Sequence, residues 1–418
     1  MRMRSMFIVI PALAAAVLAA AVPAGASTAA QGRVGRAGPV SLVSPASRTL
    51  DDVFNGDSCT TQPDNPAITS TCVAVGFFAD GPTVAGLMED SSNGKWGGNI
   101  FGGIGTVTEP IEVSCVPQPE DIPACVAVGE HYTNPRFPAQ LVETGGDNGF
   151  SPVAFRNPKG ASWSVLDDVS CASTTFCMLV GGAGTTRRTA HGLRYLSHAT
   201  AYRWNGSGLT RLAPPAPAHA RDAQLGGVSC PTATSCMAVG SYTNAAGRLL
   251  PYSALWTSGA WKVRAARTIG GKATTTFEAV ACTAAATRVA VGEAVKPGTT
   301  AFAERYSAGQ WTVQRIASRR RSAFFSVSCP AASVCVAAGQ QGARSLIERW
   351  NGSRWSAQAV PATVKPLTTD LLFHVSCVTP SICTAVGYRH NPAARFSFHT
   401  LALGWNGSAW TIQKTNNQ

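Results

Sequence analysis

The chain has 418 residues, 45% hydrophobic and 13% charged, with 41 Gly, 26 Pro, 13 Cys and ten Trp. A typical soluble domain is about 25% charged, so this is no disordered, solvating chain, and Gly and Pro without a period exclude a collagen pattern. Twenty-seven Arg and seven Lys against 22 acids give a net charge of +12, and 13 Cys is both an odd number and more than a cytosolic enzyme usually carries.

The first 26 residues read as an export signal. Arg2 and Arg4 make a basic start, Met6–Val22 is an uncharged apolar run, and Val22-Pro23-Ala24-Gly25-Ala26 is an A-x-A-like cleavage site before Ser27. An uncleaved anchor is the alternative, for which the run is slightly short. No Cys follows the site, which argues against a lipoprotein, and no later stretch is long and apolar enough to span a membrane. The expected organisation is a signal peptide over 1–26, a flexible linker over 27–40 and one folded region over 41–418. Export places the chain outside the cell, where disulfides persist.

The folded region is a set of internal repeats. Val-Ser-Cys or a close variant recurs with its Cys at 59, 115, 171, 230, 282, 329 and 377. Each copy is followed by a short apolar run ending in Gly, at 76, 129, 181, 240, 292, 339 and 387. An alternating segment such as Leu346–Trp350 comes next, then a turn and an aromatic, as in Asn351-Gly352-Ser353-Arg354-Trp355. In that last pair five residues separate the two positions, and nine of the ten Trp occupy one or the other; packing between repeats explains them better than ligand stacking. Runs rich in Val, Ala, Thr and aromatics, bounded by Gly, Pro, Asn and Ser, read as strands. No repeat carries a helical period over helix length. Four strands per repeat and seven repeats of about 50 residues predict an all-β, seven-bladed β-propeller with four antiparallel strands (a to d) per blade. A wide barrel or paired sandwich gives no reason for sevenfold repetition. Residues 38–50 are a candidate closing strand.

The Val-Ser-Cys, Cys-x-Ala-Val-Gly and Trp-Asn-Gly-Ser-x-Trp pattern resembles secreted repeat proteins of actinobacteria, loosely related to Asp-box and kelch-type propellers. The resemblance covers residues 50–414 and implies a propeller and little about function, since propellers host many functions. The turn here is Asn-Gly-Ser and lacks the Asp of an Asp box, so a sialidase is not implied.

Four cysteine pairs have the spacing Cys-x5-Cys: Cys171 with Cys177, Cys230 with Cys236, Cys329 with Cys335 and Cys377 with Cys383. Two more, Cys59 with Cys72 and Cys115 with Cys125, have longer insertions. In each, one Cys ends strand a and its partner begins strand b. Residues facing one another across such a hairpin lie within disulfide reach, so six bridges within blades are expected, each worth ~2.4 kcal/mol for the shortest loops in the chain-entropy model. A zinc site is the weaker alternative, because the pairs are too widely spaced. Cys282 is left over, its register partner being Arg288. It reads as a small buried hydrophobe from a lost bridge, the other options being an intermolecular disulfide or a reactive thiol.

In an up-and-down blade the b–c and d–a loops share one face of the ring. Those segments hold seventeen basic residues against six acids (Asp80, Glu109, Glu130, Asp222, Glu293, Asp370), while the opposite face holds only Lys95 and Arg354 against four. Six of the seven His also fall there, as does the longest insertion, 182–199. The candidate binding residues are Arg187, Arg188, Arg194, Arg319, Arg320, Arg321, Arg389, Arg395, His131 and His390. They suit an anionic cell-surface polymer or acidic protein, although solvated charge for solubility is the plainer alternative. Nucleic acid is disfavoured by export and by the lack of a regular stacking motif.

No catalytic, cofactor or metal set emerges. Glu89, Glu143, Glu304 and Glu348 share one position in strand c, which reads as a structural element. Glu130-His131-Tyr132 and Tyr388-Arg389-His390 are the most chemically varied clusters and are candidates for the mouth of a central channel. The expected function is a monomeric binding or scaffolding module, with a polysaccharide-active hydrolase or lyase sited in the channel as the alternative.

Overall fold

The computed structural model describes residues 51–416, apart from 63–68, 81–82, 101–106, 119–122, 133–136, 147–148, 190–191, 267–273, 284–286, 296–297, 318–319, 362–367 and 392–397. The expected signal, linker and closing strand therefore lie outside the described residues. All named elements are strands, β1 to β28 in chain order, and no described helix is long and apolar enough to cross a membrane.

Strands follow one another in groups of four. The first group is β1 (Asp51–Thr60), β2 (Thr71–Asp80), β3 (Thr83–Ser92) and β4 (Lys95–Ile100), each antiparallel to the next. Five groups form separate four-stranded sheets. The first two groups join as one eight-stranded sheet through a single parallel bridge, Val84 to Val107. Every blade is thus built from consecutive strands, with no strand exchanged to close the ring among the described residues.

The opening strand of each group lies innermost: β1, β5 (Val107–Val116), β9 (Trp163–Ser173), β13 (Asp222–Thr232), β17 (Thr275–Cys282), β21 (Ser322–Ala331) and β25 (Thr369–Thr379). Each is bulged one residue before the position that leads into Val-Ser-Cys, for example between Phe54 and Gly56 and between Leu372 and His374. The repeated Gly of the second strand faces the residue just before that bulge: Phe54 faces Gly76 and Leu372 faces Gly387. A Cβ at Gly76 would lie 1.9 Å from the Val53 carbonyl oxygen, and one at Gly387 2.0 Å from that of Leu371. The bulge presses backbone onto backbone, and only glycine leaves the space.

The core is divided among the interfaces between blades. Phe176, Met178 and Val180 of the third pack on Leu225, Tyr252 and Trp256 of the fourth. Phe54, Leu87 and Trp96 of the first pack on Val386 and Ala402 of the last, so the ring closes on the same kind of apolar layer. The Trp register is packing, as the sequence indicates: Trp256 faces Trp261, Trp350 faces Trp355 and Trp405 faces Trp410, with ring centroids 5.2, 5.9 and 5.6 Å apart. The Asn-Gly-Ser triplets are turns. Asn351 Oδ1 accepts from the N–H of Ser353 and Arg354, and Gly352 adopts φ +94°.

All six expected disulfides are present, and each joins the pair that the spacing assigns. Cys59 is bonded to Cys72, Cys115 to Cys125 and Cys171 to Cys177. Cys230 is bonded to Cys236, Cys329 to Cys335 and Cys377 to Cys383. The second cysteine of each pair sits deep between the sheets: Cys72, Cys125, Cys177, Cys236, Cys335 and Cys383 are all buried. These bridges staple the inner hairpins of six of the groups. Cys282 is free and faces Arg288 in register. Burial pushes its thiol up to about 11, which disfavours the thiolate.

Candidate functional site

Val-Ser-Cys does more than place a cysteine. The serine reaches the next blade and accepts the N–H of that blade's Cys: Ser58 from Cys115, Ser114 from Cys171, Ser170 from Cys230, Ser229 from Cys282 and Ser328 from Cys377. Ser376 of the last blade accepts from Cys59 of the first at 3.0 Å. Where the fifth blade carries Ala281, this latch has no hydroxyl. Two of the repeated strand-c glutamates serve the same purpose on an outer circle. Glu348 Oε2 accepts from Ala317 at 2.8 Å, and Glu89 Oε2 accepts from Asn416 at 3.2 Å, each tying in the exit of the preceding blade. Glu89, Glu143, Glu304 and Glu348 are all buried.

Inside the circle of serines lies an axial cavity of about 220 Å³. Its lining comes from the Val-Ser-Cys halves of the innermost strands, the end of the channel nearer the a–b turns. The position just before Val-Ser-Cys points into it and varies round the ring as Glu112, Asp168, Ala279, Ser326 and His374. In the first blade Asp57 stands where the other copies have Val.

His374 organises these groups. Its Nδ1 lies 2.9 Å from Asp57 Oδ1 and its Nε2 3.4 Å from Glu112 Oε2. His374 belongs to the last blade and Glu112 to the second, so this pair meets across the axis, past the first blade. Asp168 Oδ2 accepts the N–H of Val228 at 2.6 Å and its Oδ1 that of Val169 at 2.7 Å. Burial disfavours the imidazolium, but Glu112, Asp57 and Asp168 outweigh it and hold His374 up at about 9. Burial also raises the carboxyls: Asp57, Glu112 well above the usual range, and Asp168 to about 7.

A second acidic group lies behind this floor. Asp167, the bulged residue of β9, is buried, and its carboxyl is raised well above the usual range by burial and by Glu130, Asp168 and Glu278. Glu278 belongs to the fifth blade and Asp167 to the third, with the fourth between them in the ring. Glu278 and Glu130 are each raised to about 7, first by burial. None of the residues lining the cavity is Lys or Arg, and no group of three or more metal-ligating side chains occurs among the described residues.

The sequence-derived binding residues lie elsewhere. Arg187, Arg188 and Arg194 fall in β10 (Phe176–Thr189) and β11 (Gly192–Trp204), an extended hairpin in which Arg187 faces Arg194. The 182–199 insertion, read as a loop, is thus mostly ladder. A second cavity of about 260 Å³ sits at this hairpin, lined by Lys159, Gly184, Ser197 and His198 among others. Arg320 and Arg321 are exposed. Arg389 faces Asp370, with Nε 3.5 Å from Oδ1, and His390 stacks on Phe398 with centroids 4.2 Å apart. His131 is half-buried at the end of its strand. Arg319 and Arg395 lie outside the described residues. Glu130-His131-Tyr132 and Tyr388-Arg389-His390 do not line this cavity, which lies at the other end of the channel from the b–c loops that hold them. Glu109, Glu130 and Glu293, counted as loop charges, are buried strand residues, so they offset less of the basic charge of that face than the sequence suggests.

The sequence reading missed Asp57, Glu112, Asp168 and His374 because they do not repeat. Their signal is the variable column before Val-Ser-Cys, polar in Glu112, Asp168, Ser326 and His374 within an otherwise uniform strand.

No protein-family model matches the chain, and no curated protein matches it. Solved structures do. The β-propeller domain of the Trilobed protease from Pyrococcus furiosus, described as having an open velcro topology, matches at 9% identity and TM-score 0.52, over 89% of this chain and 100% of that one. A polysaccharide lyase, PL25 ulvan lyase, matches at 10% identity and TM-score 0.52, over 86% and 97%. YCF48 bound to D1 peptide matches at 12% identity and TM-score 0.47, over 85% and 94%. At such identities the first two likenesses speak to the fold alone, and with the sheet layout they make this chain a multi-blade β-propeller.

Proposed function

We propose that this chain is a secreted, seven-bladed propeller of the actinobacterial repeat type, residues 41–418, exported by a cleaved signal over 1–26 and joined to it by a linker over 27–40. It acts as a monomeric binding module for an anionic cell-envelope polymer or acidic protein, held on the b–c and d–a face. The observation that carries this reading is the third-blade hairpin. Arg187 stands directly opposite Arg194, Arg188 is next to it, and no carboxylate occurs between Asp168 and Asp222. An anionic partner neutralises a run of basic charge that this segment leaves uncompensated in the sequence. The cavity lined by Lys159 and His198 at this hairpin gives such a partner a foothold. Exposed Arg320 and Arg321 extend the basic surface, and Arg319 and Arg395 add basic charge to the same loop segments in the sequence. Six disulfides suit an oxidising extracellular setting.

The test is binding of poly(glycerol phosphate), a polyuronate and a neutral glucan of similar length, at several salt concentrations. The wild type is expected to bind the two polyanions with affinity falling steeply with salt. A variant with Arg187, Arg188 and Arg194 replaced by Ser should lose at least tenfold. Equal binding of the neutral glucan, or an unchanged triple variant, overturns the proposal.

A second reading, a polysaccharide-active enzyme, draws support from the approach of His374 to Glu112 across the axis. The carboxylate floor repels a uronate chain, so that reading requires a neutral or cationic sugar. Turnover of such a polymer, abolished in His374→Ala, would establish it.

A further inference from the structure

We propose that the cavity at the third-blade hairpin holds a tetrahedral oxyanion, the phosphate or sulfate monoester group of the anionic partner, in preference to a carboxylate. The inference rests on the anion-binding reading above and narrows it to one pocket and one kind of anion.

The pocket is built where the turn between the second and third blades meets the base of the hairpin. Lys159 and Gly160 form the tip of that turn, which the Ala161 N–H closes by donating to the Pro158 carbonyl at 3.1 Å. The Ser162 N–H donates to the Gly184 carbonyl at 2.8 Å and the Thr186 N–H to Ser162 Oγ at 3.0 Å, so the turn is fastened to β10. On β11 the Ser197 N–H donates to Oδ1 of Asp222 in the fourth blade at 3.3 Å, which fixes the segment that carries Ser197 and His198. Gly160, Ala161 and Gly184 put little or no side chain into the enclosed space, and about 260 Å³ stays open. That volume takes one charged group with its adjoining carbon unit and excludes a run of sugar residues.

The lining points to an oxyanion. Its polar side chains are Lys159, Thr185, Ser197 and His198, and none of the lining residues is Asp or Glu. Lys159 is exposed and brings a full positive charge. Burial and the charge of Arg211 hold His198 below its ordinary value, so at neutral pH it is an uncharged N–H donor. The hydroxyls of Thr185 and Ser197 are further donors. These groups stand on three separate segments, the turn, β10 and β11. A carboxylate offers two oxygens in one plane, and an internal phosphodiester also offers two free oxygens. A monoester offers three acceptor oxygens spread about a tetrahedron, one for each wall.

Calorimetric titration of the intact protein with glycerol 3-phosphate, methyl sulfate, dimethyl phosphate and acetate, each alone, tests the proposal. The last three carry the same single charge, so their ranking reads geometry. Saturable one-to-one binding of both monoesters is expected, with dimethyl phosphate and acetate weaker than methyl sulfate by about tenfold, the loss of one charge-assisted hydrogen bond. Whichever monoester binds more tightly names the source, a phosphate or a sulfate ester. Lys159→Ala and Thr185→Asp should each weaken both monoesters by about the same factor. Both side chains are exposed, so the melting temperature of each variant should match that of the wild type. The polyuronate used above separates the two readings. If it binds through Arg187, Arg188 and Arg194 while no monoester saturates, the pocket assignment fails and the anion-binding reading stands; if neither binds, both fail. Acetate or dimethyl phosphate bound as tightly as methyl sulfate, or a folded Thr185→Asp variant that binds the monoesters as the wild type does, also overturns the proposal.

Discussion

Ser376 Oγ accepts the backbone N–H of Cys59 at 3.0 Å, joining two residues 317 positions apart. It is the same bond that Ser58, Ser114 and Ser170 make to the next Cys along the chain. The ring therefore closes with the contact it uses internally, and no exchanged strand is needed among the described residues. A net hydrogen bond contributes about 1 kcal/mol. Ser376→Ala is expected to lose about that much, read as a lower urea midpoint with an unchanged slope.

The fifth blade lacks both devices, with Ala281 for Ser and Arg288 for Cys. Ala281→Ser restores a hydroxyl within reach of the following blade and should stabilise by about 1 kcal/mol. The gain would be absent in a variant where the hydroxyl points away, and urea unfolding decides between them.

Arg288→Cys faces Cys282 in the register that the other bridges use. Closing that loop should add about 2 kcal/mol. Thiol titration in denaturant should fall from one group per chain in the wild type to none in the variant. A count of two in the variant would show that the hairpin cannot accommodate the bridge.

Much of this fold is legible in the sequence because one register is written repeatedly. Cys-x5-Cys gives the inner hairpin, the Trp pair gives the outer one, and Val-Ser-Cys marks the innermost strand. The reason for the motif glycine is not legible: only the bulge beside Phe54 and Leu372 shows why Gly76 and Gly387 cannot carry a Cβ. The candidate axial site is also hidden, for a topological reason. Glu112 and His374 are 262 positions apart, yet they meet because both line the axial cavity. Motif spacing carries no information on such meetings. Charge counted by loop also misleads where a hairpin turns several residues inward, as with Glu109 and Glu130.

Gly387→Ala tests the bulge argument. The added methyl would lie 2.0 Å from the Leu371 carbonyl oxygen, against backbone that is pinned by the Cys377–Cys383 bridge. Overpacking of this kind costs about 1–3 kcal/mol or more. The expected result is a melting temperature lowered by several degrees, whereas Gly298→Ala, with open space around it, should be near neutral.

Buried acids and His374 set the pH dependence of stability, and its sign is the reverse of the usual acidic unfolding. His374 is held at about 9 in the folded chain against an ordinary value near 6.5. Its contribution is complete below about pH 6.5 and disappears as pH rises through 9. Asp168, Glu130 and Glu278 are raised to about 7 and Glu89 to about 8, in each case mainly by burial. A raised carboxyl also favours the folded state at low pH and loses that contribution as pH climbs through its folded value. Over pH 5–9 the folded chain therefore binds more protons than the unfolded one, and stability falls with pH. Thermal unfolding should show the highest midpoint near pH 5 and a decline through pH 9. His374→Gln, which keeps a polar group but cannot take up the proton, should flatten the upper part of that decline, between pH 7 and 9. A midpoint that rises over this interval in the wild type would show that His374 and these buried carboxyls do not govern the pH dependence.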